Sequence, residues 1–212
     1  MTKFKDYKFI TYLIGAMEKT AEKDGGGSKR EEVEKELRYR EVYPINPVSL
    51  ESFKTEMTSE EVTEKLKGWI AGGCWDKYRE YADLIWKGKD SINEKGSLKH
   101  IPGDFDYVFM SDWITCVYNK GDSPCGTYGE AFLAYYLNKP IYLITDVPKK
   151  ELRHSFLQAI VGSGGEVFDS LTQYLEFIDK TYKLKRKDST VKKVEENKLE
   201  ENQEENKNEK IK

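Results

Sequence analysis

The residues best suited to chemistry lie between Asp112 and Glu130. Tyr107-Val108-Phe109-Met110 reads as a short, wholly apolar central strand. Asp112 then stands just past a strand's carboxyl end, and a loop bearing Asn119 and Asp122 follows. Gly126-Thr127-Tyr128-Gly129-Glu130 opens a helix, with Glu130 on its first turn. Gly126 lets backbone approach a ligand closely, and first-turn amides favour anions. A carboxylate in such a crevice can attack an anomeric carbon or stabilise an oxocarbenium-like centre. The same glutamate can instead serve only the helix dipole, where acids are common.

Other residues compete for a role. Gly25-Gly26-Gly27-Ser28 with Lys29 and Arg30 can hold a phosphate at a helix start, or be an ordinary loop. Trp113, beside Asp112, is a candidate for stacking on a base. Trp69, Trp75 and Trp86 fall at helical spacing and read as packing. Cys125 at the helix start has neither His100 nor His154 near it in sequence, so an inert thiol is the simpler reading.

The elements that must position these groups alternate. Phe9 to Ile14 is a strand ended by Gly15, and Ser28-x-x-Glu31 caps a helix running to about Arg40 with Val33 and Leu37 inward. Val42 to Pro47 is a short second strand at best, stopped by its prolines. Thr58-x-x-Glu61 opens a second helix, Gly72-Gly73 breaks it, and Trp75 to Trp86 continues helically. Residues Gly88 to Gly103 read as irregular. Ile141 to Ile144 and Val167-Phe168 are further strands, and Leu152 to Ile160 and Ser170 to about Leu184 are helices. This alternation predicts a three-layer α/β sandwich, flavodoxin-like, with about five parallel strands and helices on both faces. Ligands bind such sheets at the carboxyl ends of the strands. Residues 1–184 then form one domain, and 185–212 a charged tail too poor in apolar residues to order itself.

Composition narrows the function. Lys and Arg number 35 against 38 Asp and Glu in 212 residues, a net charge of −3, so bulk positive charge for a nucleic-acid polymer is absent. No apolar run is long enough to span a membrane, and no apolar leader stands at Met1 to Asp6. Cys74, Cys116 and Cys125 form neither a disulfide framework nor a zinc pattern. The expectation is a cytoplasmic protein that needs no metal or cofactor.

Several segments resemble the nucleoside 2-deoxyribosyltransferase family. Tyr12-Leu13-Ile14-Gly15-Ala16 is similar to its first-strand YLAGP motif, and Tyr107 to Asp112 to its third-strand segment. Gly126-Thr127-Tyr128-Gly129-Glu130-Ala131 resembles its G-[ST]-x-x-E-x-G motif, and Leu137 to Ile141 the following "A…gKPv". The resemblance spans about residues 9 to 180. It implies cleavage or transfer at the N-glycosidic bond of a (deoxy)nucleoside or nucleotide, with Glu130 as nucleophile. Tyr12, Gly15, Asp112 and Asp122 would shape the sugar and base pocket, with Gly126 and Thr127 near the sugar or phosphate. It also implies a homo-oligomer. Pro124-Cys125 stands where the transferases often carry an acid, and Ser97 where they carry an Asp ahead of the third strand. A related branch hydrolyses nucleoside 5′-monophosphates. The GTxxE portion is also similar to the lysine-decarboxylase-like phosphoribohydrolases, which cleave the same kind of bond. The missing acids leave a second expectation, a non-catalytic sensor of a nucleotide derivative.

Overall fold

The computed structural model describes residues 7–15, 26–47, 50, 55, 57–92, 97–121 and 125–187. Five parallel strands form the main sheet: β1 (Phe9–Gly15), β2 (Val42–Ile45), β5 (Trp113–Tyr118), β6 (Ile141–Thr145) and β7 (Glu166–Phe168), in the order β2-β1-β5-β6-β7. The helices are α1 (Gly26–Arg38), α2 (Ser59–Ala71), α3 (Trp75–Lys87), α4 (Asp104–Met110), α5 (Cys125–Tyr136), α6 (His154–Gly162) and α7 (Leu171–Tyr182).

Alternation along the strands sends neighbouring side chains to opposite faces, and two cores result. Tyr12, Ile14, Ile114, Cys116 and Leu143 pack beneath α4, α5 and α6, with Val108, Ala131 and Phe156. Leu13, Trp113, Val117 and Tyr142 pack beneath α1 and α7, with Val33, Leu37, Tyr174 and Ile178. The chain is therefore the flavodoxin-like α/β sandwich that the alternation predicts.

One element is corrected. Tyr107 to Met110 is helical, within α4, and the central strand is β5, six residues on. The cause is local. The Asp106 carboxylate accepts the Gly103 N–H at 2.8 Å, and Asp104 and Asp106 complement the helix start. A four-residue apolar run fits a helix face as well as a strand. Trp113 to Tyr118, rich in β-branched and aromatic residues, is the better strand and pairs on both edges.

The long stretch before α4 is more ordered than its composition suggests. Thr58 and Glu61 form the capping box, with Glu61 N–H to Thr58 Oγ1 at 3.3 Å and Thr58 N–H to Glu61 Oε2 at 2.7 Å. No residue of α3 is buried, and α3 reaches the body through Trp86, whose ring lies 5.2 Å from that of Phe105. The segment read as irregular holds an antiparallel hairpin, β3 (Lys89–Ile92) with β4 (Leu98–Ile101). The start of the charged tail is also tied down. Arg186 pairs with Glu36 at 3.0 Å, and the Lys187 amide donates to the Tyr39 carbonyl at 2.8 Å. Residues 188–212 lie outside the described residues. Among the described residues no helix is long and apolar enough to cross a membrane.

Candidate functional site

The carboxyl ends of β1 and β5, between α1 on one face and α4 and α5 on the other, bring the key residues together. Tyr12 comes from the middle of β1 and points to the α4–α5 face, where it is fully buried. Its hydroxyl donates to Glu130 Oε1 at 2.9 Å. Glu130 lies on the second turn of α5, not on its first as the sequence predicts, because the helix already begins at Cys125, and it is only 7 % exposed. Asp104, the first residue of α4, is buried beside them and also hydrogen-bonds Tyr12. The Tyr107 ring, one turn along α4, lies 5.8 Å from that of Tyr12.

Charge in this cluster is unevenly held. Burial and the neighbouring Asp104 push the Glu130 carboxyl up to about 8, against the pull of the Tyr12 hydrogen bond and the Arg30 charge. Burial and both acids hold the Tyr12 phenol far above its ordinary value. The phenol has one proton to donate and two acids to serve. A second proton on the cluster resolves this, and Glu130 keeps it at neutral pH. Two buried acids sharing one phenol, one of them with such a shift, mark this cluster as the candidate site.

Gly15 ends β1 where space is smallest. A Cβ there would collide with the Val117 carbonyl oxygen and stand 2.8 Å from Arg30 Nη2. The glycine thus lets the Arg30 guanidinium, 5 % exposed, cross the end of the sheet toward the acids. Thr127, in the first turn of α5, is 2 % exposed. Its Oγ1 is buried with no hydrogen-bond partner among the described residues, which is unusual for a hydroxyl. Gly126 is exposed beside it, and a Cβ there would meet open space.

Tyr12, Gly15, Gly126, Thr127 and Glu130 therefore fall on β1 and the start of α5. Asp112 does not join them. It lies at the amino end of β5, where its Oδ2 accepts the Ile10 N–H at 2.8 Å and its own N–H donates to the Ile10 carbonyl at 2.8 Å. The misplaced strand accounts for this, because Asp112 precedes the true strand rather than following one. Trp113 is likewise no base-stacking residue. It is fully buried and stacks on Tyr182 at 4.3 Å. Asp122 and the side chain of Cys125 lie outside the described residues. Ser97 sits just before β4, exposed. The buried acid ahead of the central strand is Asp104, a residue the sequence reading misses. Its signal was Pro102-Gly103-Asp104-x-Asp106, a helix start hidden by reading the next residues as a strand.

Two cavities lie among the described residues, and neither is lined by Tyr12, Asp104 or Glu130. One of about 370 Å³ lies between α3, α4 and α5, with Trp86, Phe105, Gly129 and Leu133 in its walls. The other, about 230 Å³, lies between α1 and α7 at the ends of β5 and β6. Lys29 spans it, donating to Asn119 Oδ1 at 2.7 Å. Among the described residues no three His, Cys, Asp or Glu side chains converge as metal ligands do.

Fold and site together define a class: a flavodoxin-like sandwich with a buried tyrosine-linked acid pair at the carboxyl ends of its strands. No family model matches the sequence, and no curated protein matches it.

Proposed function

We propose that the chain cleaves or transfers the N-glycosidic bond of a nucleoside or nucleotide, as its resemblance to the deoxyribosyltransferases implies. The observation that carries this reading is the 2.9 Å bond between Tyr12 and a buried, proton-holding Glu130 beside Asp104. Glu130 yields its proton to solvent as the substrate binds, its carboxylate attacks the anomeric carbon on the face opposite the base, and water supplies a proton to the departing base nitrogen. The C–N bond breaks, the base leaves with the electron pair, and a glycosyl ester forms on Glu130. Water or a second base then attacks the same carbon and frees Glu130, giving hydrolysis or transfer. The positive charge developing on the sugar favours the ionised carboxylate, and Arg30 does the same. Asp104 takes the place that the family's acid ahead of the third strand would fill, and the orphaned Thr127 hydroxyl offers a bond to a sugar or phosphate oxygen.

Two variants of the reading rest on particular observations. The Arg30 guanidinium near Gly15 favours a 5′-monophosphate over a free nucleoside as substrate. The burial of Glu130, facing the Arg30 charge, favours a nucleotide-derivative sensor on the same fold.

Incubation with nucleosides and 5′-monophosphates, with and without a second free base, separates these outcomes by chromatography. Base released in either case marks a hydrolase, and base exchanged only with an acceptor marks a transferase. Binding of a nucleotide with no turnover on any substrate supports the sensor and overturns the enzyme.

A further inference from the structure

The β3–β4 hairpin lies outside the sheet, yet its only histidine reaches the helix that carries Asp104. His100 Nδ1 is 2.7 Å from Asp90 Oδ1, its cross-strand partner, and its Nε2 is 2.9 Å from Asp106 Oδ2 on α4. Ionised carboxylates only accept, so both ring nitrogens must donate, and only the imidazolium has two N–H groups. The same Asp106 oxygen accepts the Gly103 N–H at 2.8 Å and so caps the helix whose first residue is Asp104. The base of the hairpin is anchored at this point. A Cβ on Gly88 would collide with the Ile101 carbonyl oxygen and lie 2.6 Å from Gly103 N.

We propose that His100 is a positioning residue: as a cation it staples the β3–β4 hairpin to the first turn of α4 and so holds Asp104 against Tyr12 and Glu130. The effect on catalysis rests on the function proposed above; the staple itself does not. The charges acting on the ring are Asp90 from β3 and Asp106 from α4, and together they raise its proton affinity. The sign follows from the linkage. A histidine whose affinity is raised on folding contributes below its unfolded value of about 6.5 and loses that contribution as pH passes its folded value. The staple is therefore closed in mildly acidic solution, where the carboxylates are ionised, and opens as the pH rises through the raised His100 value.

An NMR titration of the full chain tests it. The His100 ring is expected to titrate above about 6.5, and the Gly103 and Asp104 amide signals to move with the same midpoint. In His100→Gln those amides should rest at their high-pH positions throughout. In His100→Arg, which keeps a two-pronged cation at every pH, they should rest at their low-pH positions. Base release should fall about tenfold in kcat/KM for His100→Gln and recover in His100→Arg. A His100 midpoint at or below 6.5, or amides at 103 and 104 unmoved by His100→Gln, would overturn the staple. Absence of base release from the unaltered chain would sink the enzymatic reading instead, while the titration would still decide the staple.

Discussion

Three neighbours, Asp104, Tyr12 and Arg30, act on the Glu130 carboxyl. Asp104 and burial raise its proton affinity, while Tyr12 and Arg30 oppose them. Because the attacking carboxylate must be ionised, kcat/KM should rise about tenfold per unit through neutral pH and level off above about 8. Stability carries the opposite lesson. The folded state binds this proton more tightly than the unfolded chain, so stability declines as pH rises from the ordinary value of 4.5 toward about 8. Glu130→Gln should therefore melt above the unaltered protein, with a larger gap at pH 8 than at pH 5 in scanning calorimetry. Tyr12→Phe removes the 2.9 Å bond to Glu130 and should lower kcat/KM by about 10- to 100-fold. An unchanged value would mean that Tyr12 only packs. Glu130 and Tyr12 were legible because a glutamate soon after a helix-opening glycine and a first-strand tyrosine are local features, although the earlier helix start at Cys125 moves Glu130 to the second turn. Asp104 was not, because reading Tyr107 to Met110 as a strand hid the helix start that carries it.

The strand–helix boundary near Asp112 shows how one element decides several residues. Tyr107 to Met110 is apolar without a clear period, and helix won because Gly103 and Asp106 cap it. Shifting the strand to Trp113–Tyr118 moved Asp112 from the carboxyl end of the sheet to the amino end. Its work is to fix β1 against β5 through two bonds to Ile10. Asp112→Ala should accordingly cost about 1 kcal/mol in denaturant unfolding and leave the KM for any substrate unchanged. A raised KM with unaltered stability would return Asp112 to the site. The other elements were clearer from sequence: the Thr58–Glu61 capping box and the Gly72-Gly73 break both form as their spacing requires. The β3–β4 hairpin escaped notice because Asp90, Lys99 and His100 give it little apolar alternation to read.

At the scale of the molecule, the two sheet faces differ in what they show to solvent. Phe109, Met110, Phe132, Tyr135, Tyr136 and Val161 are exposed on α4, α5 and α6, while α1 presents Glu31, Glu32 and Lys35. We read the apolar face as the contact between copies of the homo-oligomer that the resemblance implies. Sedimentation should give a mass above that of one chain, and Phe132→Asp with Tyr136→Asp should reduce it to one. The order β2-β1-β5-β6-β7 reverses direction beside β1, the strand that carries Tyr12 and Gly15. Strand alternation predicted this architecture because burial on both faces demands it, whereas the substrate depends on side-chain placement that no period encodes. The most direct measurement compares free base released by the unaltered chain and by Glu130→Gln from the same nucleosides and 5′-monophosphates. The account predicts release by the first and a loss of at least about 1,000-fold in the second. Equal release by both proteins would contradict Glu130 as the reacting group.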